Sequence, residues 1–124
     1  MLGVLSYVVQ DKKTMLNGVW LVTGSNCVPR SSYLEMMTTK QRFRKTDGRQ
    51  FYHFVQSFSE ADNLTPQEVN AIGLELAQKV FPCYEVVIAT HVDTNHLHNH
   101  LVVNSVSYED GRKLHQNRDT CQRQ

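Results

Sequence analysis

Two β-branched, apolar stretches, Glu85 to Val92 and Leu97 to Val106, are predicted as strands, with a short polar connection between them. Gln50 to Phe58 alternates aromatic with polar residues and is predicted as a third. Gly18 to Gly24, GVWLVTG, reads as a short strand bounded by glycines. Helical spacing is weak in Met1 to Gln10, where Leu2, Leu5 and Val9 are apolar. Ser31 and Ser32 are predicted to cap a helix running to Phe43, with Tyr33, Met36, Met37 and Phe43 on its buried side. Asp47-Gly48 marks a turn. Thr65-Pro66-Gln67-Glu68 is a capping box with proline at the first helical position. The helix it opens sets Val69, Ile72, Leu76 and Val80 on one stripe and stops before Pro82. A further helix is expected to begin at Asn117. The order α-β-α-β-α-β-β predicts an α+β domain, a mostly antiparallel sheet with helices packed on it. Because the chain starts and stops within helices, it is expected to be truncated at both ends.

Composition narrows this little. With 40% hydrophobic and 20% charged residues and a formal net charge of +1, the chain is an ordinary globular domain. Overall charge gives no sign of nucleic acid, but the local run KQRFRKTDGR places Lys40, Arg42, Arg44, Lys45 and Arg49 against a lone Asp47. Such a run is a solvated face or a track for a phosphate backbone. Cys27, Cys83 and Cys121 form no CxxC pair and read as reduced thiols. No apolar run has the ~18 residues of a membrane span, and with no basic n-region followed by an apolar stretch no signal peptide is expected. A cytoplasmic protein without membrane insertion is expected.

The chemistry concentrates in THVDTNHLHNH, Thr90 to His100, which holds four of the six histidines. A hairpin turn centred on Thr94-Asn95 brings His91 opposite His98 and Ala89 opposite His100. Side chains alternate along a strand, so His91, His98 and His100 share one face. Opposed Cβ atoms lie ~5 Å apart, and the small Ala89 leaves room, so three imidazoles can converge on one ion at ~2.1 Å. The rival set of His96, His98 and His100 would spread its outer members over ~13 Å. Asp93 shares the face and is expected to orient the far nitrogen of a ligand. Three neutral ligands leave positions open for water or substrate, as catalytic sites do.

HVDTNHLHNHLVVNSV resembles the histidine motif HxDxxHxHxHxxxN of the relaxase/mobilisation nuclease family (MobP-type, in the HUH endonuclease superfamily) of conjugative and mobilisable elements. SYVVQDKKT resembles the family's tyrosine block, and TGSNCVP, EMMTTKQRFRKTDGRQ and YHFVQSF resemble further blocks, so the likeness covers almost the whole chain. It implies a relaxase catalytic domain over residues 1–124 that lacks a first strand and C-terminal helices. Tyr7 falls at the nucleophile's position. His91, His98 and His100 match the metal ligands, Asp93 the acidic residue beside them, Ser57 a serine that helps hold DNA, and Asn104 the closing asparagine.

The activity so implied is nicking of single-stranded DNA at a transfer origin. Tyr7 attacks phosphorus, giving a 5′-phosphotyrosine link and a free 3′-hydroxyl, with one divalent ion as cofactor (Mg or Mn, with Zn the alternative). Accessory mobilisation and coupling proteins are the implied partners, beside the DNA. Two other readings stand: an inactive, truncated single-strand-binding fragment that uses Lys40, Arg42, Arg44 and Lys45, and a metal-dependent hydrolase that uses bound water. His53 and His115 read as structural or surface residues, and Trp20, Tyr52, Phe54 and Phe58 as core.

Overall fold

The computed structural model describes residues 1–16, 18–94 and 96–114. The helix expected from Asn117 lies outside the described residues. The chain opens with α1 (Leu2–Val8) and a four-residue turn of helix, α2 (Asp11–Thr14). A two-stranded hairpin follows, β1 (Met15–Leu16) and β2 (Val19–Trp20), and then β3 (Val22–Ser25). After these come α3 (Ser32–Arg42), β4 (Phe51–Ser57), α4 (Pro66–Val80), β5 (Val86–His91) and β6 (His98–Asn104).

Strands β3, β5, β6 and β4 form one sheet in that spatial order, antiparallel throughout. Helix α4 covers one face, where Ala77 and Phe81 pack against Val86, Ile88, Leu101 and Val103. Helices α1 and α3 cover the other, where Leu5, Val8 and Met36 meet Val22, Val87, Ala89 and Val102. Central β5 is buried along its whole length, the apolar Val86, Val87, Ile88 and Ala89 followed by the polar Thr90 and His91. The architecture is the α+β sheet-and-helix arrangement expected.

Local details depart from the sequence pattern for physical reasons. The Gly18 to Gly24 stretch is two strands, because the chain changes partner at Leu21. Val19 and Trp20 pair with Leu16 and Met15, whereas Val22 to Ser25 pair with β5. Gly18 enters this hairpin at φ +82°, open to glycine at no steric cost.

At α3, neither serine caps the helix. The Ser31 hydroxyl donates to Glu35 Oε2 (2.5 Å) and that of Ser32 to Pro29 O (2.8 Å). Of its expected apolar side, Met36 is fully buried, but Tyr33, Met37 and Phe43 are only half-buried.

The capping box of α4 forms as expected, with Glu68 N–H donating to Thr65 Oγ1 and Thr65 N–H to Glu68 Oε1. Its buried face is Val69, Asn70, Gly73 and Ala77, and Val80 is exposed. The rotation follows from Gly73. A Cβ there would lie 2.6 Å from Asn99 Nδ2 and 2.8 Å from Ile88 Cγ2, so only glycine lets the helix approach the sheet this closely. Of the cysteines, Cys27 is a free thiol, as expected.

Candidate active site

The β5–β6 hairpin has the register expected from its sequence: His91 faces His98, and Ala89 faces His100. The three imidazoles therefore meet at one end of the sheet, on the face that α1 and α3 cover. Ring centroids are 4.1 Å apart for His91 and His100, 5.1 Å for His91 and His98, and 5.0 Å for His98 and His100. One nitrogen from each lies within 4.8 Å of the other two. His91 is 1% exposed, and the other two are half-buried.

Residues on the opposite face fix this register. Thr90 and Asn99 alternate with the histidines, and both are fully buried. The Thr90 hydroxyl donates to Asn99 Oδ1 (2.6 Å) and accepts from Asn70 Nδ2 (3.0 Å). Asn99 Nδ2 donates to Val69 O (2.8 Å) and Gln56 Oε1 (3.0 Å). A slip of one residue would turn every histidine to the other face and strand this network without partners.

Each histidine is also held by its second nitrogen. His91 Nε2 lies 2.9 Å from Val8 O and His98 Nδ1 lies 3.1 Å from His96 O. A carbonyl only accepts, so both of these nitrogens carry the proton, leaving a lone pair on His91 Nδ1 and His98 Nε2. His100 Nδ1 lies 2.7 Å from His53 Nε2. Burial first, and then His91, His53 and His98, depress the His100 pKa to about 4; burial likewise lowers that of His91. At neutral pH a cation would therefore displace no proton from His91 or His100. The donor set fits a divalent ion held by His91, His98 and His100, with a face left open.

Tyr7 stands over this end of the sheet on α1. Its ring is half exposed, 6.1 Å from the His91 centroid and at 68° to it. The His91–Val8 bond joins the end of the tyrosine helix directly to the histidine cluster. Lys13 Nζ lies 5.3 Å from the centre of the Tyr7 ring and 3.0 Å from Asp93 Oδ2. Asp93, and more weakly Tyr7, raise the Lys13 pKa. Asp93 thus engages Lys13, and the far nitrogen it was expected to orient is engaged by Val8 O instead. Lys13 was missed as a site residue, although the Lys-Thr pair of the tyrosine block carried its signal.

Ser57, at the end of β4, faces His98 in register and is exposed beside the triad. The remaining expected DNA contacts lie elsewhere. Asn104 is fully buried: its Nδ2 donates to Met36 O (3.1 Å) and Glu85 Oε1 (2.9 Å), and its Oδ1 accepts from Lys40 Nζ. Lys40 is fully buried as well. Both expectations of a DNA contact are corrected, since Lys40 on α3 and Asn104 beneath it are buried and their polar side-chain atoms are bonded to protein.

Arg42, Arg44 and Lys45 are exposed, with Lys45 Nζ bonded to Gly111 O (2.5 Å). They precede Phe51, which pairs with Asn104, whereas Ser57 pairs with His98. The basic run thus leads into the end of the sheet away from the histidines, one strand length (~20 Å) off.

The three histidines form a candidate metal site at one end of the sheet, and sequence comparison gives the family. The model of the relaxase family described as MobA/VirD2-like, nuclease domain, matches residues 7–124, so the chain belongs to that family. It is 39% identical over 93 residues to Protein rlx of Staphylococcus aureus, covering 75% of this chain and 28% of that protein. A second Protein rlx from the same species is 38% identical over 96 residues, 77% of this chain and 30% of that protein. The group II intron-interrupted relaxase LtrB of Lactococcus lactis subsp. cremoris (strain MG1363) is 44% identical over 64 residues, 51% of this chain and 11% of that protein. The chain therefore spans less than a third of the length of these relatives. No solved structure matches it. Among the described residues, no helix is long and apolar enough to cross a membrane.

Proposed function

We propose that this domain nicks single-stranded DNA at a transfer origin by tyrosine transesterification, as the initiating step of conjugative mobilisation. One observation carries the reading: three histidines with ligand atoms within 4.8 Å of one another lie beneath an exposed tyrosine. A divalent ion on His91, His98 and His100 (Mg or Mn, with Zn the alternative) would polarise the non-bridging oxygens of the scissile phosphate and offset the charge that grows there.

The protein's own groups supply the rest. The phenol oxygen of Tyr7 attacks phosphorus. The bond to the 3′-oxygen breaks, and the phenol proton is balanced by protonation of the departing 3′-hydroxyl. The Lys13 ammonium faces the Tyr7 ring and would offset negative charge on the phenol oxygen as it attacks. Asp93 holds Lys13 in place, while Ser57 lies where it can meet the strand beside the triad. One phosphodiester replaces another, so the same groups can rejoin ends. This reading entails DNA at the origin, accessory mobilisation and coupling proteins as partners, and a cytoplasmic location.

The test is a single-stranded random-sequence DNA library, labelled at its 3′ ends and incubated with the chain and Mn²⁺. The label should migrate with the protein after denaturation, and Tyr7→Phe should eliminate that species while leaving folding and DNA binding intact. An adduct on the Phe variant would move the nucleophile to another tyrosine. Cleavage without adduct would favour hydrolysis by bound water, and binding without cleavage a binding module.

A further inference from the structure

His53 lies outside the histidine motif, on edge strand β4. Pairing of β4 with β6 sets His53 opposite Val102 and Val55 opposite His100, so His53 is the diagonal neighbour of His100 on the triad's face. Their rings are 5.0 Å apart at 34°, with His53 Nε2 2.7 Å from His100 Nδ1.

Two neutral imidazoles can share that contact in two ways, because either can donate. If His100 Nδ1–H donates to His53, His100 Nε2 keeps its lone pair. If His53 donates, His100 carries its proton on Nε2 and can hold no cation there. His91 and His98 face no such choice, since carbonyl oxygens set their tautomers. His100 is the one member of the triad whose tautomer depends on a side chain.

We propose that His53 is a positioning residue for the metal centre: its Nε2 accepts the Nδ1–H of His100, fixes that ring and directs the free lone pair toward the ion. This rests on the reading of the triad as a metal site. A purely structural role fits poorly, because His53 is exposed and belongs to neither core cluster.

The test compares the whole chain with its His53→Ala and His53→Gln variants. Titration with Mn²⁺ should show ~10–100-fold weaker binding for His53→Ala, the usual cost of losing a group that orients a ligand. The metal-free melting temperature should stay within about a degree of wild type. His53→Gln, whose Oε1 is as many bonds from Cα as the lost Nε2 and can only accept, should recover most of the affinity. Nitrogen-15 spectra of the metal-free protein should show His100 protonated at Nδ1 in wild type and mixed in His53→Ala.

Unchanged Mn²⁺ affinity in His53→Ala, no recovery in His53→Gln, or His100 protonated at Nε2 in wild type would each overturn the proposal. If wild type binds no Mn²⁺, the metal reading fails on its own account. The nitrogen-15 spectrum still decides which ring donates.

Discussion

Strand β6 carries polar side chains at both ends of one sheet face, and the two ends do opposite things. At its start, His98 and His100 lie in a half-open cluster with His91, beneath Tyr7. At its finish, on the same face, Asn104 is sealed beneath α3 with every polar atom bonded to protein. There Lys40 donates to Asn104, and Glu85 accepts from Asn104 and from the Thr39 hydroxyl (2.9 Å). Burial lowers the Lys40 pKa to about 8 and raises that of Glu85. The residue types alone do not separate these ends, since each is a set of titratable or amide groups on a strand. What separates them is cover. Helix α1 stops short over the histidines with a tyrosine at its rim, whereas α3 closes over the asparagine.

The largest effect should come from breaking the open end. His98→Ala removes one of three ligands and should abolish Mn²⁺ binding at concentrations that saturate wild type, with little change in metal-free stability because the side chain is half-buried. His96→Ala should bind nearly as wild type, since His96 is exposed and the backbone carbonyl it lends to His98 survives the substitution. Equal losses from the two variants in a calorimetric titration would dissolve the triad.

The sealed end should respond in the other currency, stability. Lys40→Met leaves Asn104 Oδ1 buried without its donor, at a cost of about 1–3 kcal/mol, and should not touch Mn²⁺ affinity. Wild type should also carry a pH signature. Below about pH 8 Lys40 is protonated both folded and unfolded and contributes no slope. Between about 8 and the unfolded value of 10.5 only the unfolded chain holds the proton, so this group makes stability rise with pH. Glu85 and Lys113 are the charged groups that also act on it. Urea midpoints at pH 8 and pH 10 should therefore diverge in wild type and converge in Lys40→Met once changes common to both are subtracted. A flat difference would mean that Lys40 is solvated.

How much of this was legible follows from which interactions are local. The triad was, because a period of two and a short turn fix both face and register within eleven residues, Thr90 to His100. The α4 capping box was legible for the same reason. Its buried stripe was misjudged, since apolarity points to Ile72 and Val80 while close packing on Asn99 selects Gly73. The β1–β2 hairpin had a local signal, the Asn17-Gly18 dipeptide, overlooked inside an apparently continuous apolar run. Burial of Lys40 and Asn104 had none, because a lysine within KQRFRKTDGR looks solvated until α3 is laid on the sheet. His53 was equally hidden: its partner lies forty-seven residues away and is reached only through the β4–β6 pairing.

The smallest effect should come from the basic run, and its size should depend on the length of the DNA. Arg42, Arg44 and Lys45 lie toward the sealed end, about one seven-residue strand (~20 Å) from the histidines. They offer charge without base-reading geometry, so they should contribute sequence-tolerant, salt-dependent affinity. Lys40 drops out of this count because it is buried. Replacing all three with glutamine should reduce the slope of log affinity against log salt by up to about 2, at roughly 0.7 per phosphate contact on a single strand. Lys45, held by Gly111 O, should contribute least of the three. An oligonucleotide too short to reach from the triad to the run should show no change in slope, whereas a longer one should show it in full. An equal reduction on both would mean that DNA crosses the sealed end first. No reduction on either would leave the run as a solvated face, and affinity would then rest on the open end alone.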